Sequence, residues 1–550
     1  MNISITPQRK WNHVCAALLL VFASFMAYHG AVLLGYGTDN WSDLNMYTSL
    51  PLSRVAANPV YNRYPTWSLL VYPILLWSPM WLAHLLVVAA HTFAAWLLVV
   101  LLRWFTLDHV TATIAGLLFL LWPAHVEALF WIPGAMFIFT TLFALAGAYY
   151  LTQQCLVIGT VLMLLGLFST EAIFFPALVL MAAIAWRARF NVQQTAGIFL
   201  TFVGVYAVFQ VIRFTYSDGR DFTPYATGFL YVWPRALSWM LMSLGLASSS
   251  DVSWMWSLAG RAVDSGLLLP QFFLLLAGIL VSGSALWLTR HFALVSTPLP
   301  WRKLLVGVGV TLLGYGSAFL IFLPLQGNAM QSRYTSIGVA YLVVLLALLL
   351  GRLCASKRRV VAATGVICTV ALLSWASYRA WSNIWVNWYP ARLLSDELLE
   401  DVRYAHKTTG SERIFLIDDP KAVGNAFAIG RDWGYIFAGR LVIEPRMIVT
   451  ADMLVRQTTL PMFAAGNRFT DRPCVFVSWR SGKRIIASHA FEPNKQVVLN
   501  CETSFVEPLN GRAVPQLTIP GLSPGTVTLS NFLGIPTDDP LQILLALLRR

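Results

Sequence analysis

The sequence predicts an α-helical polytopic membrane protein with about 11 spans and a small C-terminal α/β or α+β domain. The 550 residues are 57% hydrophobic and only 11% charged, which lies outside the range of soluble globular proteins. Apolar runs of about 20 residues, each long enough to cross roughly 30 Å of hydrocarbon, recur from Trp11 to Arg379. After Arg379 these runs stop, so a domain surrounded by water is expected there.

The charged residues divide the chain at the same place. Residues 1–379 contain 20 Lys/Arg and 9 Asp/Glu, whereas residues 380–550 contain 18 and 16. The first domain therefore carries nearly all of the net charge of +13. This excess is a topology signal of a membrane domain, and nucleic acid is not expected as a partner.

The Lys and Arg positions also predict the orientation. The basic clusters between apolar runs fall on one side, which the inside-positive rule assigns to the cytoplasm, with residues 380–550 outside. Compact loops and the lack of an ER-retrieval signal favour a bacterial cytoplasmic membrane. The predicted spans are 12–35, 82–102, 110–123, 134–152, 155–170, 172–187, 195–215, 267–289, 304–325, 334–351 and 360–378, with an interfacial helix at 228–249.

The acidic residues of the membrane domain lie mostly on the opposite, outer side. Under this threading Asp108 alone is cytoplasmic, although acidic residues contribute little to insertion and were not used to set the orientation. An outward-facing site is therefore expected. The outer residues are Asp39, Asp43, Glu127, Glu171, Asp218, Asp221, Asp251 and Asp264.

Residues 380–550 predict a small domain that mixes helix and strands. An amphipathic helix around 387–407 is followed by the apolar strand RIFLID. Cys474 and Cys501 are the only cysteines after residue 380, and both a disulfide and two free thiols stay open. Further strands are predicted at RLVIEP, CVFVSW, RIIAS, QVVLNC and TVTLS.

The segment LLFLLWPAHVEALFWIPGA is the most informative candidate for chemistry. Pro123 ends an apolar helix, and His125 and Glu127 follow in wholly hydrophobic and aromatic surroundings. An ionisable residue at membrane depth is costly and usually has a function or a partner. The same argument applies to Glu171, for which capping of a helix N-terminus is an equal alternative.

Asp39 and Asp43 follow the first span and provide carboxylates at the boundary of water and lipid. Such a carboxylate could act as general base toward an acceptor that meets a lipid-borne substrate, and an ordinary solvated loop residue is the alternative. Arg333 violates the inside-positive bias and could bind a lipid phosphate bidentately, or extend to the interface as a surface residue. Arg63 and Arg213 are weaker candidates for the phosphate.

His84 and His91 share one helix face, about two turns or 10 Å apart, which suits metal ligation poorly. They are expected to bond to neighbouring helices or to line the site. The six cysteines show no zinc spacing, so no metal-binding residues are assigned.

The order of these segments resembles the membrane half of the transmembrane and tetratricopeptide-repeat O-mannosyltransferases, and more widely the GT-C superfamily. The acid after the first span carries the resemblance together with NRYPTWSLL, HLLVVAAH, WPAHVEALFWIPGA, LFSTEAIFFPALVL and SRYTSIGVAYLV. It covers about the first 350 residues and does not reach 380–550, which have no tetratricopeptide pattern. It implies a GT-C-like fold, an outward-facing site and a polyprenyl-phosphate sugar donor.

The resemblance also implies roles for individual residues. Asp39 would activate the acceptor, and His125 with Glu127 would match the Pro-x-His-x-Glu-Ala segment. Glu171 would match the acid of a Ser-Lys-Glu segment, and Arg333 the Arg of an Arg-Tyr segment. The chain departs from the family where Asn40 replaces the second of two paired acids and Thr170 replaces the Lys.

These observations predict a glycosyltransferase that moves a sugar to an extracytoplasmic protein, glycan or lipid. Asp39 and Glu127 are the expected catalytic residues, and Asp43, Arg63, His84, His125, Glu171, Arg213 and Arg333 are expected to bind substrate. Some GT-C enzymes use Mg²⁺ or Mn²⁺ and others do not, so the resemblance leaves a divalent cation open. A transporter or flippase of a lipid-linked or polar substrate is the alternative, and a membrane-anchored binding or assembly protein is a second one.

Overall fold

The structure is a computed structural model that describes the membrane helices and part of the C-terminal region. The described residues are 7–35, 43–44, 46–48, 50–51, 55, 64–105, 107–216, 243, 301–320, 332–356, 358–409 and eight strand segments between 413 and 508. The chain forms two compact units. The first consists of Met1–Leu33, Pro51–Ser249 and Leu269–Ile384, and the second of Leu34–Leu50, Ser250–Leu268 and Trp385–Arg550.

The described residues of the first unit form helices and the turns that connect them. A π-helical turn at Trp67–Val71 and short 3-10 turns at His29–Leu33, Pro123–His125, Ile132–Ala135 and Glu171–Ile173 interrupt or join the longer helices. The α-helices are α1 (Pro7–Tyr28), α2 (Tyr72–Trp77), α3 (Met80–Trp104), α4 (His109–Leu121), α5 (Val126–Phe130), α6 (Met136–Thr152), α7 (Leu156–Leu167), α8 (Phe174–Ala188), α9 (Val192–Tyr216), α10 (Trp301–Leu320), α11 (Ser332–Cys354) and α12 (Arg359–Ser382).

The structure confirms an α-helical polytopic membrane protein. Within the described residues, eight helical segments are long and apolar enough to cross a bilayer. They are Val14–Leu33, Met80–Trp104, His109–Phe130, Ile132–Thr152, Glu171–Ala188, Val192–Ile212, Arg333–Cys354 and Arg359–Tyr404.

Three predicted spans differ from this set. The span predicted at 155–170 is the 12-residue helix α7, because the chain bends into a 3-10 turn at Glu171. The span predicted at 304–325 corresponds to α10, whose apolar part, Leu304–Leu320, is also shorter than the eight. The span at 267–289 lies outside the described residues, as do the helix at 228–249 (except Ser243), Cys501 and the strands at RLVIEP and TVTLS.

Helix α4 is the centre of the first unit. Every residue from Thr111 to Leu121 is buried, as expected for a helix that is apolar on all sides. The Asp108 carboxylate caps its N-terminus by accepting a hydrogen bond from the Thr111 backbone N–H at 3.0 Å. Lipid-facing helices instead leave large apolar side chains exposed, such as Leu18 and Val192.

Small residues allow α6 and α7 to pack closely. A Cβ atom placed on Gly147 would lie 2.7 Å from the Gly159 carbonyl oxygen, and one on Gly166 would lie 3.1 Å from the Thr140 carbonyl oxygen. Close backbone approach through small residues is a common way for helices to associate in a bilayer.

The second unit contains α13 (Tyr389–Thr409), where the amphipathic helix was predicted. A four-stranded sheet has the order β4–β1–β5–β6, with β1 parallel to β4 and β5 and with β6 antiparallel to β5. Its strands are β1 (Arg413–Ile417), β4 (Ile448–Ala451), β5 (Cys474–Ser478) and β6 (Ile485–His489). Two antiparallel pairs consist of β2 (Ala422–Val423) with β3 (Ala426–Phe427), and β7 (Val497–Asn500) with β8 (Phe505–Pro508).

Candidate functional site

The candidate site begins where Pro123 ends helix α4. Proline has no backbone N–H and cannot donate to the carbonyl four residues earlier, so it kinks or breaks an α-helix, and α4 ends at Leu121. The chain instead makes a 3-10 turn at Pro123–His125, the single-turn helix α5 and a second 3-10 turn at Ile132–Ala135. These turns hold His125 and Glu127 inside the first unit, where both are buried.

Glu127 forms a buried ion pair with Arg333, the second residue of α11. The Arg333 Nη1 group donates to the Glu127 Oε1 atom, and the Arg333 backbone N–H donates to Oε2 at 3.3 Å. Glu127 is 0% exposed and Arg333 is 8% exposed. Because charges are costly to bury unless they are paired, this contact explains how both residues are accommodated.

The Trp131 ring also packs against the Arg333 guanidinium. The Arg333 Cζ atom lies 4.1 Å from the centroid of the Trp131 ring, in a cation–π contact, and 5.1 Å from that of Tyr334. Gly134 permits this packing, because a Cβ atom there would lie 2.9 Å from Trp131 Cε3 and 3.4 Å from Arg333 Cδ. The Arg333 Nε atom is buried and has no hydrogen-bond partner in the described part of the chain.

A group of buried rings packs around the end of α4, next to the Pro123 break. The His125 ring lies 4.7 Å from the His91 ring and 4.7 Å from the Phe119 ring, measured between centroids. The Leu120 carbonyl, near the end of α4, accepts a hydrogen bond from the Tyr28 hydroxyl at 2.5 Å and from His91 Nε2 at 3.0 Å. Neither ring nitrogen of His125 has a hydrogen-bond partner among the described residues.

Glu171 occupies a different polar cluster in the first unit. Its Oε2 atom accepts hydrogen bonds from the Tyr206 hydroxyl at 3.1 Å and from Gln210 Nε2 at 3.2 Å, both on α9. Thr170 supplies the N-cap by accepting from the Ala172 N–H at 3.3 Å. The Glu171 carboxylate therefore bonds to α9, and the side chain of Thr170 does the capping.

The remaining predicted site residues are only partly described. His84 is fully buried on α3. Asp43 is buried in the second unit, where burial and, to a smaller extent, the Asp43 charge raise the pKa of Tyr47. Arg213 lies in α9, where only its backbone is described. Asp39 and Arg63 lie outside the described residues.

Comparisons of the chain with protein-family models, curated proteins and solved structures find no match. The described residues contain no group of three or more His, Cys, Asp and Glu side chains that could hold a metal ion. The site must therefore be interpreted from its own chemistry.

The sequence indicates Glu127 and Arg333 separately but does not indicate that they are partners. Trp131 and Gly134, four and seven residues after Glu127, were not predicted as site residues. The signal was present, because two opposite charges in apolar surroundings each require a partner. The two residues are 206 positions apart, so no local sequence pattern indicates that they pair.

Proposed function

We propose that this chain is a membrane glycosyltransferase that transfers a sugar from a polyprenyl-phosphate-linked donor to an extracytoplasmic acceptor. The GT-C-like fold and the placement of the site and of residues 380–550 outside the cytoplasm are parts of the same proposal. The observation that carries it is the buried Glu127–Arg333 pair, whose acid lies just after the Pro123 helix break and two residues after the buried His125. A charged pair at this depth is costly and is usually retained for function.

Arg333 is suited to bind the phosphate of the donor. Nη1 bonds to Glu127 and the flat face of the guanidinium lies on Trp131, which leaves the edge carrying Nε for an anion. Guanidinium edges bind phosphate oxygens with two parallel hydrogen bonds. Glu127 would fix the direction of that edge, so we assign it to positioning the phosphate site.

The reaction requires a base at the acceptor. In the proposed step, the acceptor hydroxyl or amide attacks the anomeric carbon and its proton passes to the Asp39 carboxylate. The bond from the anomeric carbon to the phosphate oxygen breaks, and the prenyl phosphate leaves with the negative charge that Arg333 stabilises. His125 would contact the sugar or the acceptor through a ring nitrogen.

The test is sugar transfer by the full-length protein in reconstituted vesicles with a polyprenyl-phosphate sugar donor. We expect Asp39→Asn to lower the transfer rate by about 100-fold or more, as for loss of a general base, without loss of folding. If Asp39→Asn and Glu127→Gln both leave the rate unchanged in folded protein, the mechanism is wrong.

A double variant separates a catalytic from a structural role of the ion pair. Removing one partner leaves an unpaired buried charge, whereas Glu127→Gln combined with Arg333→Met removes both charges and should recover folding. The proposal expects this folded double variant to remain inactive, with Arg358→Gln, an exposed charge elsewhere, as the active control. Recovery of transfer in the double variant would make the pair structural.

Sugar-lipid flux across sealed vesicles, without cleavage of the carrier, would indicate a transporter.

A further inference from the structure

The first unit contains an apolar cavity that the proposed reaction does not use. The cavity has a volume of about 480 Å³ and lies among helices α3, α6, α8, α10 and α11. Most of its lining side chains are aliphatic or aromatic. Two arginines, Arg187 and Arg302, also line it.

The cavity extends along much of the length of its helices. Ile173 and Ile337 lie near the start of α8 and α11, at the end that carries Glu171 and Arg333. Arg187 lies near the opposite end of α8, and at 1.5 Å per residue the distance from Ile173 is about 20 Å along the axis. A long hydrocarbon chain would fit this shape.

The cavity is accessible from the lipid-facing surface. Trp186 and Val306 line it on α8 and α10 and are 71% and 44% exposed. A hydrocarbon chain could therefore enter laterally from the bilayer, without passing through water.

The arginine end suits an anionic headgroup. Arg187 and Arg302 are both exposed, and no carboxylate of the described residues forms an ion pair with either. The Arg187 Nε–H donates to the Trp104 carbonyl at 3.1 Å, which fixes the side chain at the cavity edge. Asp108, predicted on this side of the membrane, uses its carboxylate to cap α4.

We infer that this cavity binds an anionic phospholipid from the leaflet on the arginine side. One acyl chain fills the cavity, and the phosphate lies between Arg187 and Arg302. Basic pockets between membrane helices are known to bind such headgroups. Two exposed arginines at the end opposite Arg333 favour a lipid whose phosphate lies at that end. The prenyl tail of the proposed donor, whose phosphate would bind at Arg333, is the competing occupant that the test must distinguish.

The test is native mass spectrometry of the full-length protein exchanged into equimolar phosphatidylglycerol and phosphatidylcholine with matched acyl chains. Wild-type protein should retain phosphatidylglycerol preferentially. Replacing both arginines with Gln should lower that preference by about tenfold or more, because each basic side chain contributes about one kcal/mol of attraction, or roughly fivefold. The Lys replacements at both positions should keep it. Arg358→Gln with Arg359→Gln removes two exposed charges away from the cavity and should have no effect.

A second variant tests the cavity without changing charge. Ala340→Phe narrows it from α11 and should lower retention of both phospholipids. Equal retention of the two lipids by the wild-type protein, or unchanged preference in the double Gln variant, would overturn the inference. Retention of polyprenyl phosphate in place of phosphatidylglycerol, lost in Ala340→Phe, would overturn it as well.

Discussion

The two ends of the helical bundle use the same side chain in opposite ways. At one end Arg333 is 8% exposed, paired with Glu127 and packed on Trp131. At the other end Arg187 and Arg302 are exposed and border an apolar cavity. Each of the three arginines has an aromatic residue next to it in the sequence, so this local pattern does not distinguish them.

The free-energy cost of burial distinguishes an arginine of a candidate site from an arginine that only sets the orientation in the membrane. An exposed arginine at a membrane boundary keeps its hydration and sets orientation at little cost. A buried arginine loses hydration, and it remains charged because an acid and an aromatic face replace the water. The buried pair is therefore the better indicator of function, and the exposed arginines are better suited to bind a lipid headgroup.

The strongest test of this comparison is removal of one member of the buried pair. Glu127→Gln leaves the Arg333 charge buried and should lower the free energy of unfolding by about 3–5 kcal/mol. Adding Arg333→Met should recover most of that loss. Unfolding of the purified protein in detergent, followed by circular dichroism, measures both.

The control for these two variants is Arg358→Gln, which should change the free energy of unfolding by less than about 0.5 kcal/mol. A loss below about 1 kcal/mol in Glu127→Gln would mean that water reaches the pair. The two ends of the bundle would then differ less than the burial indicates.

A smaller effect is expected at the glycine that allows Trp131 to approach Arg333. In Gly134→Ala the new Cβ atom lies 2.9 Å from Trp131 Cε3 and 3.2 Å from the Glu127 carbonyl oxygen, so Trp131 must move. We expect a loss of about 1–3 kcal/mol, as for other overpacked sites. Thermal unfolding and tryptophan fluorescence check both the stability and the ring movement.

Gly316→Ala is the matched control, because a Cβ atom on that helical glycine meets nothing within 4 Å. It should be neutral or stabilising by up to about 1 kcal/mol, since alanine favours the helix. Equal destabilisation by both substitutions would show that Gly134 has no special packing role.

Much of the fold could be predicted because lipid leaves few alternatives. Apolar runs such as those of α3 and α11 must form helices, since backbone groups in hydrocarbon need partners within the segment. The lengths of the individual helices were less predictable. Helix α7 is shorter than its apolar sequence and is followed by a 3-10 turn at Glu171, whose carboxylate bonds to α9.

The sequence identified Glu127, His125 and Arg333 as candidates but did not indicate their contacts. The cost of burying an ionisable residue selected Glu127 and His125, and the departure from the inside-positive bias selected Arg333. Which acid pairs with which base depends on helix packing, and nothing local links Glu127 to a residue 206 positions later. The sequence predicted that His91 would either bond to a neighbouring helix or line the site. Its hydrogen bond to the Leu120 carbonyl is the first of these outcomes, and the break at Pro123 is the local cause.

The buried rings around the helix break give a smaller test. Tyr28→Phe removes one of two donors to the Leu120 carbonyl, and His91 keeps that oxygen bonded. The expected loss is therefore about 0.5–1.5 kcal/mol, the net value of one hydrogen bond. Tyr150→Phe, on the partly exposed end of α6, should be neutral in the same thermal unfolding assay. A loss above about 3 kcal/mol in Tyr28→Phe would indicate a network as tightly coupled as the ion pair.

The smallest effect is expected for Arg302 at the exposed end. Arg302→Gln removes a charge that is hydrated and has no carboxylate partner among the described residues, so the free energy of unfolding should change by less than about 0.5 kcal/mol. Unfolding in a neutral detergent, with anionic lipid removed, separates the effect of this charge on the free energy of unfolding from its effect on lipid binding. A loss above about 1 kcal/mol under those conditions would show that this arginine also stabilises the packing of α10. The contrast between a paired, buried guanidinium and an exposed one would then not explain their different roles.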